Sequence, residues 1–139
     1  MIEWSGFRDK KSGLPIYSLY GKTRKPNASM LRNIDVMVID LQNVGSRYYT
    51  FIWTMALVMQ ACFELGKTVV VLDRPNPING LDIEGPVLKT EYSSFVGLHP
   101  IPVRHGMTIG EIALYLQDNF YHSLDLHVIE MKGWKKDVV

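Results

Sequence analysis

Two apolar runs, Ile34–Asp40 (IDVMVID) and Thr68–Asp73 (TVVVLD), each stop on an aspartate and are separated by one long helical stretch. Continuous apolar runs of this length read as parallel strands covered on both faces, and a helix joining two of them makes a right-handed βαβ unit. The fold class expected is therefore α/β. In open α/β sheets, ligands bind in the crevice beyond the carboxyl ends of the strands. Asp40 and Asp73 are expected side by side at such a crevice.

The joining segment, Thr50–Leu65, is interrupted only by Thr50, Thr54, Gln60 and Glu64. A helix this apolar is largely buried, with Glu64 on its solvated stripe and Gly66 as its terminator. Before the first run, residues 1–25 read as an irregular leader, with turn signals at Ser12-Gly13, Pro15 and Gly21-Lys22 around Ile16–Tyr20. Asn27–Asn33 suits two helical turns. After Asp73, the segment Arg74–Pro86 holds three prolines and two glycines, which forbid regular structure. His99–Arg104, with two prolines, is at best an edge strand or an extended segment. Thr108 and Glu111 have the capping-box spacing, and Ile109, Ile112, Ala113, Leu116 and Phe120 follow at helical spacing, which predicts an amphipathic helix over 108–120. Leu124–Met131 reads as a last strand. The whole chain, 1–139, reads as one partial domain without repeats or linkers. Four or so strands make a thin sheet, and the first helix is apolar on nearly every side. A missing part of a larger protein, or a second copy, is expected to cover it.

Composition narrows the partners. The 139 residues are 47% hydrophobic and 21% charged with net charge +1, and Lys and Arg are scattered, which disfavours nucleic acid and anionic membranes. No run approaches the roughly 18 apolar residues of a membrane span, and the N-terminus lacks a signal peptide's apolar core, so compartment stays open. The single cysteine, Cys62, sits in the apolar helix as a small core residue.

The strand ends carry the chemistry. Asp40-Leu41-Gln42-Asn43 runs through Gly45, Arg47 and Tyr49, and Asp73-Arg74-Pro75-Asn76 follows the second strand. Carboxylates, amides, guanidinium groups and aromatic faces converging on one mouth suit a polyhydroxylated ligand. Neither loop has a phosphate-cradling glycine pattern. Asp40 and Asp73 can equally cap turns or pair with Arg47 and Arg74. Glu111 is read as the capping-box partner rather than a catalyst. His105, just before a helix N-terminus, either reads a substrate carboxylate or makes a loop hydrogen bond. Glu84, between Ile83 and Gly85, is the carboxylate least explained by secondary structure; against an apolar wall its pKa would rise and it would serve as a general acid.

Ordered motifs across Gly13–Glu111 then carry a resemblance: GLPIYSLYGKTRKP, DLQNVGSRYYTF, VVVLDRPNPING, EGP, FVG and PIPVRHGMTIGE. They resemble the NamZ-type exo-β-N-acetylmuramidases, bacterial glycoside hydrolases. The resemblance implies a Rossmann-like, mostly parallel sheet with helices on both faces, followed by a smaller C-terminal domain that this chain lacks, with the active site between the two. Relatives are often exported. The pattern departs at Asn43, where relatives carry aspartate. At the start Gly6-Phe7-Arg8 fits, while Glu3 is one residue out of register with the family's glutamate.

The expectation is thus a fragment of a two-domain enzyme that removes terminal N-acetylmuramic acid from peptidoglycan fragments, with a muropeptide as partner and no metal or cofactor. Asp73 and Glu84 are the candidate catalytic carboxylates, as glycoside hydrolysis needs an acid and a base or nucleophile. Asp40, Gln42, Arg47, Tyr49, Arg74, Asn76, Arg104 and His105 are expected to hold sugar hydroxyls, the acetamido group or the lactyl carboxylate. Two rivals stand beside this reading: a non-catalytic carbohydrate-binding fragment, and a metal-dependent phosphoryl-transfer domain using Asp40 and Asp73.

Overall fold

The computed structural model describes residues 6–137. Glu3 lies outside the described residues. The leader, expected to be irregular, contains a short antiparallel ribbon of β1 (Phe7–Arg8) on β2 (Pro15–Ile16). Next comes α1 (Ala28–Leu31), whose N-cap Asn27 accepts from the Met30 N–H at 3.1 Å.

The main sheet is parallel throughout, in the order β3 (Val36–Ile39), β4 (Thr68–Leu72), β5 (Leu126–Ile129). Helix α2 (Phe51–Glu64) joins β3 to β4, and α3 (Ile109–Phe120) precedes β5. The parallel α/β architecture is the one the apolar runs imply. The capping box closes in both directions: Thr108 Oγ1 accepts from Glu111 N at 3.1 Å and Glu111 Oε2 accepts from Thr108 N at 3.0 Å. His99–Arg104 forms no strand, and its pairing is limited to bridges from Arg104 to Ser46 and Glu84. Its prolines lack the N–H groups a ladder needs.

Helices on both faces were expected; α2 and α3 instead pack on β4 from the same side and on each other. Two successive crossovers in one direction across a sheet, each right-handed, leave both helices on one face. That face buries Ile39, Val69 and Val71. The other carries Val36, Val38, His127 and Ile129, with Val38 56% and Ile129 54% exposed.

The apolar surface left open is thus the sheet's far face rather than α2. Ile52, Trp53, Met55, Ala56, Met59 and Cys62 of α2 are fully buried. Each large side chain among them contributes roughly 1.5–3 kcal/mol by leaving water. The leader and the loop before α3 supply the cover. Tyr20 Oη hydrogen-bonds Thr50 and Thr54 Oγ1, each at 3.0 Å, Lys25 Nζ pairs with Glu64 at 2.6 Å, and Leu19, Phe95 and Leu98 pack on the core. Burial pushes the Cys62 thiol pKa up, consistent with a core residue. Among the described residues no helix is long and apolar enough to cross a membrane.

Candidate active site

Register decides which strand-end carboxylates meet. Ile39 pairs with Val71, so Asp40 falls beside Leu72, and Asp73 beside Leu41. Successive side chains alternate between faces, so this offset of one sends Asp40 and Asp73 to opposite sides of the sheet. They do not form the expected side-by-side pair. The arrangement also removes the shared ion on which the phosphoryl-transfer rival depended.

Asp40 is held on the surface by Arg74, whose Nε and Nη2 donate to its two oxygens at 2.8 Å each. Asp73 turns toward the helix face. Its Oδ1 accepts from Gly110 N at 2.8 Å and from Arg74 N at 2.9 Å, tying the end of β4 to the first turn of α3. That approach needs a glycine: a Cβ at Gly110 would lie 2.6 Å from Val128 Cγ1 and 2.9 Å from Asp73 Oδ1.

A second group of expected ligand residues is tied into a frame, exposed at Gln42 and buried at Arg47, Asn76 and His105. Gln42 Nε2 donates to Asn43 O at 2.6 Å and Pro75 O at 2.8 Å, joining the two strand-end loops. Asn43 Oδ1 accepts from Gly45 N at 2.8 Å. Asn76 accepts from Ile78 N and donates to Met107 O, both at 3.1 Å. Arg47 Nη1 donates to Pro86 O at 2.9 Å and Ile101 O at 2.8 Å, and its own N–H reaches Val103 O at 2.8 Å. Asn43, Asn76 and His105 are each 1% exposed and Arg47 is 6% exposed. These side chains satisfy carbonyls and amides that burial would otherwise leave without water.

His105 Nδ1 accepts from Met107 N at 3.1 Å, which assigns the ring proton to Nε2. Burial lowers its pKa from 6.5 to about 4, so the imidazole is neutral. Of its two readings, the structure makes the loop hydrogen bond.

Glu84 does not stand against an apolar wall. Its side chain is 65% exposed and receives Arg104 Nη1 at 2.6 Å, while Arg104 Nη2 lies 3.1 Å from Asp82 Oδ2. Backbone bonds between residues 84 and 104, at 3.1 and 2.9 Å, fix this pairing. Tyr49 is at the surface, its ring 4.8 Å from that of Phe51.

The carboxyl ends of β4 and β5 open on a cavity of about 190 Å³, lined by Asp73, Glu111, Leu114, Glu130, Met131 and Trp134 among others. Sequence reasoning passed over Glu130 and Trp134. The signal was present: like β3 and β4, the last strand ends on an acid, as Ile129-Glu130.

Comparison with known proteins places this geometry. The profile described as "Exo-beta-N-acetylmuramidase NamZ, N-terminal" matches residues 1–139. Over 134 residues the chain is 54% identical to Peptidoglycan beta-N-acetylmuramidase NamZ of Bacillus subtilis (strain 168), covering 96% of this chain and 32% of that protein. Two solved DUF1343 family proteins of Bacteroides fragilis NCTC 9343 superpose on it. One has a TM-score of 0.89 at 51% identity, covering 94% of this chain and 35% of that one. The other has a TM-score of 0.83 at 38% identity, covering 94% and 36%. The chain spans about a third of the length of these relatives. A profile matched along the whole sequence, with these superpositions, shows that the chain belongs to the family of the NamZ exo-β-N-acetylmuramidase N-terminal region.

Proposed function

We propose that this chain supplies the strand-end wall of the active site of a glycoside hydrolase that removes terminal N-acetylmuramic acid from peptidoglycan fragments. The observation that carries the reading is the 54% identity, over 96% of this chain, to a peptidoglycan β-N-acetylmuramidase. The cavity at the carboxyl ends of β4 and β5 agrees with where α/β sheets hold their ligands.

Within this reading the expected residues divide by whether their side chains are engaged chiefly with backbone groups of the loops. Asp40, Arg74, Tyr49, Glu84 and Arg104 reach the surface and are the direct contacts. Their guanidinium groups match a sugar-borne carboxylate, and the Tyr49 ring supplies an apolar platform. Gln42, Arg47, Asn76 and His105 act as positioning residues, holding the three loops that present the others. Asp73 serves as one of the two carboxyl groups that hydrolysis through an oxocarbenium-like transition state requires. Glu84 serves as the other once substrate displaces it from Arg104. The rest of the cleft is supplied by polypeptide of the kind that makes up the other two-thirds of the relatives.

The surface pairing of Glu84 with Arg104 favours a second reading, in which the isolated chain binds the sugar without turning it over. Incubation with a chromogenic N-acetylmuramide separates the two. Release of free sugar by this chain, or by a family-length protein containing it, supports the hydrolase. Saturable binding with no release by either supports the binding module and contradicts the hydrolase.

A further inference from the structure

Asn79-Gly80 is the one Asn-Gly pair in the sequence, and Asn79 is the one residue other than glycine with a positive φ, 72°, among the described residues. Asparagine tolerates that conformation because its short amide bonds to the backbone ahead of it. Here Asn79 Oδ1 accepts from Leu81 N and Asp82 N, each at 3.0 Å, and Nδ2 donates to Asp82 Oδ2 at 2.8 Å.

A glycine after an asparagine is also a chemical liability, since it has no side chain to keep its nitrogen from the amide carbon. Gly80 N can lose its proton to a solvent base and bond to Asn79 Cγ; the Cγ–Nδ2 bond then breaks, and Nδ2 gains a proton and leaves as ammonia. Water adds across one C–N bond of the resulting cyclic imide. Opening on one side gives aspartate. Opening on the other gives isoaspartate, which threads the side-chain methylene into the main chain.

Both reacting groups are restrained in the fold. Gly80 is buried, and its N–H is donated to Lys136 O at 2.8 Å. A carbonyl oxygen is too weak a base to take the proton. The same segment screens the nitrogen from solvent: Trp134 Cη2 and the Lys136 stem stand 3.1 and 3.2 Å from where a Gly80 Cβ would lie. Lys136 is anchored in turn, with Nζ on Glu111 Oε1 at 2.5 Å. On the other side, the three hydrogen bonds of the Asn79 amide hold it over residues 81 and 82. Reaction requires these to open and the Gly80 N–H to be released.

We infer that Asn79 is a latent deamidation site, kept as the amide by the docking of Trp134–Lys136 on Gly80 and by the turn its own side chain closes. The consequence falls on Arg104. Its Nη2 donates to Ile78 O at 2.5 Å and lies 3.1 Å from Asp82 Oδ2, one anchor on each side of Asn79, while Nη1 pairs with Glu84. Deamidation sets a third carboxylate beside Asp82 and Glu84 against one guanidinium. The isoaspartate form also lengthens the chain between the two anchors.

Incubation at mildly alkaline pH tests this, with the peptide around residue 79 followed for its gain in mass and its isoaspartate content. The intact folded chain is compared with the chain in urea and with two variants that loosen the cover, Trp134→Ala and a chain ended after Gly133. In urea, Asn79 is expected to convert ahead of every other asparagine. In the intact folded chain it should convert slower by about tenfold or more, the factor that little more than one net hydrogen bond supplies. Each variant should regain about threefold or more of that rate, the size of a partial loss of one such bond. If the shortened chain loses its helical circular-dichroism signal, Trp134→Ala carries the comparison. No preference for Asn79 in urea overturns the site. Equal rates in urea and in the folded chain overturn its protection, and a folded variant no faster than the intact chain overturns the part given to Trp134–Lys136.

Discussion

Asp40 and Asp73 end neighbouring parallel strands yet project from opposite faces of the sheet, because Ile39 pairs with Val71 and the two aspartates fall one residue out of register. Asp40 becomes half of a surface ion pair, while Asp73 becomes the link between a strand end and a helix start. The two carboxylates therefore make different predictions.

Substituting Gly110 tests the link. A methyl group there meets Val128 at 2.6 Å and Asp73 at 2.9 Å, and α3 can withdraw only by losing the Asp73 bond. Gly110→Ala is expected to destabilise the chain by about 1–3 kcal/mol, the usual cost of overpacking. Urea unfolding checks it, and a change below about 0.5 kcal/mol, the range of ordinary surface substitutions, contradicts the packing described.

The Asp40–Arg74 pair predicts the opposite pattern. Both side chains are 47% exposed, and exposed pairs of this kind contribute roughly 0–1 kcal/mol. Arg74→Ala should leave thermal stability nearly unchanged while weakening the binding of an N-acetylmuramide. A large loss of stability with binding intact would assign the pair to the fold.

His105 predicts acid sensitivity. It is buried and neutral, its pKa lowered by desolvation from 6.5 to about 4. Between those values the unfolded chain binds a proton that the folded chain does not, so stability falls as pH drops from 6.5 toward 4 and levels below that. At roughly 1.4 kcal/mol per unit, the loss is on the order of 3 kcal/mol. His99, also lowered by burial, adds in the same direction. The urea midpoint at pH 7 and at pH 5 measures the effect. His105→Gln should flatten the dependence, and an equally steep profile in that variant would locate the acid sensitivity elsewhere.

Much of this was legible in local sequence. Thr108 and Glu111 announced α3 through their spacing, the unbroken apolar stretch after Thr50 announced α2, and the loop after Asp73 followed from its prolines and glycines. These are short-range signals. Register is different, because pairing between distant strands is set by how α2 and α3 seat on the sheet, and a slip of one residue exchanges the faces. The sequence could therefore mark Asp40 and Asp73 as strand ends without placing them together. Burial of Arg47, Asn76 and His105 was also hidden. An arginine or histidine in a polar loop reads as a ligand contact until the carbonyls around it are located. The open sheet face was masked for a related reason: Val36, Val38 and Ile129 look like core residues in any apolar run, and only the direction of the crossovers shows which face the helices leave bare.

If the strand ends form the catalytic wall proposed above, Asp73→Asn removes one of its two carboxyl groups. An asparagine oxygen can still accept the N–H groups of Arg74 and Gly110, so the fold is retained while the carboxylate is lost. In a family-length polypeptide carrying this region, release of N-acetylmuramic acid from a chromogenic substrate is expected to fall by at least ~10²-fold, the typical contribution of an acid or base group. An unchanged rate in a protein of unaltered stability would remove Asp73 from the reaction and contradict the proposed catalytic wall.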